Sequence, residues 1–118
     1  MKIEILIRID CLKSEVFNKY PDMINCIINW DYPVLPRVNE NVNHIECFIT
    51  DEVKEDLSQR TVDTFFIEKY INNLYSKEDQ RKISVFDFLS DRLHIVKAIY
   101  WNRGEDNKPI PCIFISLE

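Results

Sequence analysis

Apolar positions alternate along residues 2–10, with Ile3, Ile5, Ile7 and Ile9 on one side of an extended chain and Glu4, Leu6, Arg8 and Asp10 on the other. A period of two marks a half-buried strand. The pattern then changes. Ser14 precedes Val16, Phe17 and Tyr20, which predicts a short helix ended by Pro21, and Met23, Ile27 and Trp30 recur at i, i+4 and i+7, which predicts a second one. Pro33 and Pro36 push the residues before them out of helical geometry, so residues 31–41 are expected to form an extended connection.

Residues 42–50 alternate again, less cleanly, with Asn43, Ile45, Cys47 and Ile49 opposite Val42, His44, Glu46 and Phe48. This predicts a second strand. Thr50 or Asp51 then offers a helix cap, Asp51 and Glu52 suit the positive end of a helix dipole, and Ile67, Tyr70, Ile71 and Leu74 keep helical spacing. One helical region to about Tyr75 follows, with Arg60 as the place for a break. Residues 76–82 are charged at nearly every position and read as a solvated connector, after which Ser84 and Asp87 open a short helix through Phe86 and Leu89. Two apolar runs, 93–101 and 110–117, flank a polar segment, the signature of a C-terminal hairpin.

The order is strand, helices, strand, helices, hairpin. It predicts an α+β fold: a single domain over residues 1–118, with a mostly antiparallel sheet of about four strands, helices packed on one face and a C-terminal β-hairpin. The last run is apolar on both faces and contains Pro111, whose missing N–H suits an edge. An apolar edge needs cover from a helix or from a second copy of the chain, so a homodimer is one expected arrangement.

Composition narrows the function. A chain of 118 residues with one glycine, Gly104, where about eight would be usual, cannot build a glycine-rich phosphate cradle or a nucleophile elbow. Gly104 itself is expected at a positive φ in the hairpin loop. Twenty acids against fifteen Lys and Arg give a net charge of −5, which opposes binding to a phosphate backbone. No apolar run is long enough to span a bilayer, and charges interrupt the first ten residues where a signal peptide would be apolar, so no membrane partner and a cytoplasmic address are expected. Cys11, Cys26, Cys47 and Cys112 are widely spaced and are expected to be reduced, mostly buried thiols, Cys26 being the one with some exposure.

Candidate chemistry is sparse. In a strand His44 and Cys47 would point to opposite faces, and no paired Cys or His element supplies further ligands, so no metal is expected. Glu40, Glu46, Asp87 and Asp91 are accounted for by helix starts and solvated strand faces. Aromatics and arginines near loop edges are the candidate contact anchors: Trp30, Arg37, Phe66, Tyr100, Trp101 and Arg103. Together these features point to a small module that binds another protein or itself, without catalysis or cofactor. Two alternatives stay open: a small hydrolase or transferase using carboxylates with Arg37, His44 or His94, and an acidic immunity or inhibitor protein masking a basic partner.

Overall fold

In the computed structural model, which describes residues 1–21, 23–103 and 106–117, the alternating isoleucines form strand β1, Lys2–Arg8. Ile3, Ile5 and Ile7 are completely buried on one face. Strand β2 is Met23–Asn29 and runs antiparallel to β1, from the Lys2–Asn29 pair to the Arg8–Met23 pair. It replaces the second short helix expected there. Ile24 and Cys26 alternate inward, and three isoleucines in seven residues suit a pleated surface better than a helix. Upstream, residues Ser14–Val16 form a single 3-10 turn.

Strands β3 (Asn41–Val42), β4 (His94–Arg103) and β5 (Pro109–Leu117) complete the sheet. Its order is β2-β1-β5-β4-β3. Five strands therefore stand where about four were expected. Three of the four pairings are antiparallel, and β1–β5 is parallel. The hairpin β4–β5 forms as expected, with a register shift between Val96 and Ala98. Gly104 lies outside the described residues.

Two placements correct the sequence reading. The last strand lies in the sheet, between β1 and β4, and not at an edge. Pro111 is tolerated because pairing with β1 begins one residue later, at Cys112, so the missing N–H falls outside that ladder. The second strand shrinks to Asn41–Val42, and Ile45–Phe48 form a 3-10 turn that sends Ile45 and Phe48 into the core.

The helical region is cut into α1 (Asp51–Gln59), α2 (Val62–Phe65) and α3 (Glu68–Ile71). Thr50 caps α1 by accepting from the Val53 N–H at 3.3 Å. The first break is stabilised by backbone bonds to a distant segment: Val62 donates to Ile83 and Val85 donates to Arg60, at 3.0 and 2.8 Å. The second is held by Ile67 donating to Cys11 at 2.8 Å. These partners lie far off in sequence, which is why helical spacing alone overlooks the second break. The charged connector contains α4 (Lys77–Gln80), capped by Ser76, and Gln80 is buried, donating to Asn72 and to the Tyr75 carbonyl. Helix α5 (Val85–Ser90) starts at Ser84, which accepts from the Asp87 N–H.

The helices cover one face of the sheet. Ile3, Ile5, Ile7, Ile24, Val96, Ile113 and Ile115 share a core with Leu57, Val62, Phe65, Phe66, Phe88 and Leu89. Phe66 and Phe88 rings lie 4.9 Å apart at its centre. No helix among the described residues is long and apolar enough to cross a membrane.

Candidate functional site

Among the described residues, no helix lies on the opposite face of the sheet. Strand register sets Ile27, Glu4, Cys112 and Tyr100 in one row across β2-β1-β5-β4, and Asn25, Leu6, Phe114 and Ala98 in the next. A third row holds Met23, Arg8, Ser116 and Ile95. Ile27 and Tyr100 are 46% and 39% exposed, while Leu6, Phe114, Ala98 and Ile95 are half-buried. A contiguous apolar strip with polar borders thus lies open to solvent.

Tyr100, Cys112 and Glu4 form a polar cluster in that strip. The hydrogen bond with the Cys112 sulfur, with partial burial second, pushes the Tyr100 phenol up to about 12. Burial pushes the Cys112 thiol up as well, the Tyr100 hydroxyl opposing this and the Glu4 carboxylate adding to it. The thiol is therefore protonated and a poor nucleophile. Glu4 in turn accepts from the Asn102 side chain at 2.7 Å.

The hairpin runs on past the start of β1 and leaves a cleft of about 750 Å³ beside the end of β2, lined by Met1, Lys2, Ile28, Asp106, Lys108 and Ile110 among others. A second, smaller depression of about 240 Å³ is polar, with Lys13, Asp63, Glu68, Lys77 and Arg81 on its walls. Neither contains a histidine, which the carboxylate–histidine alternative requires.

The candidate anchors divide. Tyr100, Trp101 and Arg103 all lie on β4, Trp101 being 62% exposed, but neighbouring strand residues point to opposite faces, so Tyr100 and Trp101 do not share a patch. Arg37 is exposed on a separate loop, where its N–H donates to Glu40 at 2.7 Å. Trp30 and Phe66 are not surface anchors. Trp30 is buried against Phe48 and donates its indole N–H to the Val34 carbonyl at 3.0 Å. Phe66 is enclosed by Phe65, Tyr70 and Phe88. The residues overlooked are Ile27 and Phe114, together with Leu6, the apolar intruder on the charged side of β1. Leu6 was the available signal; Ile27 was hidden by the helical assignment of its segment.

Elsewhere the titratable groups serve structure. Tyr20 donates to Asp56 at 2.5 Å, and Arg60 and Lys19 approach the same carboxylate at 2.9 and 3.3 Å. Burial works against the Asp56 charge, but the hydrogen bonds from Tyr20, Arg60 and Lys19 outweigh it and hold the carboxyl below its ordinary range. The Tyr20 phenol moves far up, by burial first and then by that same bond. All four cysteines are free; Cys47 is exposed on its 3-10 turn and Cys26 is buried, the reverse of the expected order. Burial raises the Cys26 thiol against the pull of Thr50. His94 is buried, its Nε2 2.7 Å from the Leu89 carbonyl; its Nδ1 and the Ser90 hydroxyl have no partner among the described residues. No group of three or more His, Cys, Asp or Glu side chains among the described residues is placed to hold a metal ion.

No protein-family model, curated protein or solved structure matches this chain.

Proposed function

We propose that the chain is a non-catalytic protein-binding module that meets its partner with the helix-free face of the sheet. One observation carries this: a largely apolar strip centred on Leu6 and Phe114, bordered by Glu4, Asn25, Arg8 and Ser116, that no element among the described residues covers. Burying such a strip releases roughly 25 cal/mol per Å² of apolar surface, a driving force that catalysis would not need. Its centre is apolar and its border polar, the arrangement common to recognition surfaces. The charged side chains that β1 sends to this face are Lys2, Glu4 and Arg8, two cations to one acid on a chain of net charge −5. The complementary partner is a folded protein with an apolar centre and acceptor groups around it.

A photoreactive phenylalanine analogue at Tyr100 or Ile27, introduced in the cells that make the protein, tests this. Irradiation is expected to give discrete cross-linked species from both positions and none from the same analogue at Glu15, an exposed residue outside the sheet. Equal cross-linking from all three positions, or none from the open face, would overturn the proposal.

A further inference from the structure

The two borders of the sheet are built differently. The β3 border is guarded: β3 has two residues, and beyond it β4 carries Lys97 at a register shift and Arg103 near its end. Short edge strands, lysines and bulges all discourage another strand from pairing. The β2 border has none of these. Met23–Asn29 holds no charge and no proline, and it pairs with β1 over seven residues without a shift.

The hydrogen-bonding parity of that border follows from one pair. Trp30 donates to Met1 at 2.6 Å, and the Met1 amino group donates back to the Trp30 carbonyl at 3.2 Å. Antiparallel ladders alternate, so Ile24, Cys26 and Ile28 turn their backbone groups to β1, and Met23, Asn25, Ile27 and Asn29 turn theirs outward. No hydrogen bond to those outward groups occurs among the described residues.

We infer that β2 pairs antiparallel with the β2 of a second copy, making one ten-stranded sheet across a two-fold axis at Cys26. This rests on the backbone of the border and not on the open face. Seven residues place the central one on the axis and set Asn25 opposite Ile27 and Met23 opposite Asn29 of the other copy. All four are outward residues, so about eight new backbone bonds form with none mismatched. On the core side Ile24 meets Ile28, a pair of β-branched side chains of the kind that stabilises adjacent strands. Ile28, half-buried in one chain, is thereby covered. A second copy fits because the register is self-complementary, each outward residue meeting another outward residue, and because β2, uncharged along its whole length, sets no like charges opposite one another in two chains of net charge −5.

Light scattering from micromolar to millimolar protein is expected to give twice the chain mass, and Asn25→Pro is expected to give the single-chain mass throughout. The proline removes an outward N–H and leaves the β1 ladder intact. Ile27→Lys, which puts a charge on the strip, should act in the same direction if the proline variant fails to fold. Residue-resolved hydrogen exchange on the unaltered dimer supplies the decisive pattern: Asn25 and Ile27 amides slowed at least tenfold relative to dilute protein. A wild-type protein that stays monomeric, a folded Asn25→Pro dimer, or a dimer whose Asn25 and Ile27 amides exchange freely would each overturn the inference. None of these outcomes alters the heavier, non-self cross-links expected from Tyr100.

Discussion

Replacing His94 by glutamine should change how stability responds to acid. The ring is 1% exposed, and burial lowers its pKa, only partly opposed by the hydrogen bond to the Leu89 carbonyl. With the folded-state pKa below the ordinary 6.5, the unfolded chain takes up a proton at His94 before the folded chain does. Stability is therefore full above about pH 7.5 and declines as the pH falls through 6.5 toward the folded-state value. The limiting slope is about 1.4 kcal/mol per pH unit for one group, so about 1 kcal/mol is the ceiling on what His94 contributes to the decline between pH 7 and 5.5. Glutamine can still donate to Leu89 but cannot titrate. Urea melts of both proteins at the two pH values isolate the term, because Asp56, also lowered, contributes equally to both. The wild type should lose more than His94→Gln, by no more than about 1 kcal/mol. Equal losses, or a wild type that gains stability in acid, would refute the buried neutral imidazole.

Substitutions at four other positions have definite expected outcomes. Phe88→Ala empties a fully buried site between Phe66 and Tyr75 and should cost about 3–5 kcal/mol by denaturant melts. Tyr20→Phe removes one of the three donors to Asp56 and should cost about 1 kcal/mol, with the loss shrinking as acid protonates the carboxylate. Asn39 sits at φ 72°, so Asn39→Ala should lower stability by about 1 kcal/mol while Asn39→Gly leaves it nearly unchanged, both read from thermal melts. Trp101→Ala should change stability by less than about 0.5 kcal/mol, since the side chain is mostly exposed, and should leave partner association unchanged, since Trp101 points to the face opposite Tyr100; weakened partner binding would put Trp101 in the contact surface.

What the sequence makes legible is local. The isoleucine alternation of β1, the Ser84 cap and the two apolar runs of the hairpin each contain their own signal within a few residues. The missed features depend on distant partners. Met23–Asn29 becomes a strand because β1 offers seven pairing positions, and the helix around Phe66 breaks because the Cys11 carbonyl is there to receive the Ile67 N–H. An apolar strand with a proline fits an edge by itself, which is why the sequence points β5 there; only knowing that the pairing of β5 with β1 begins at Glu4 and Cys112 shows that Pro111 escapes the ladder. The site follows the same division. Tyr100 and Trp101 are visible as aromatics near a loop, yet the strip around Leu6 arises only when β2 and β5 flank β1.

The parallel pairing of β1 with β5 also governs how the molecule is made. Glu4 has to find Cys112, so the sheet closes only after the longest excursion the chain makes. During synthesis β1 and β2 can form a hairpin early, but β1 leaves the ribosome long before its other neighbour exists. Until then its second border stays unpaired, and Ile3, Ile5 and Ile7 lack half of their core. Folding should be slow for so short a chain, with the nascent isoleucine strand the segment most in need of a chaperone.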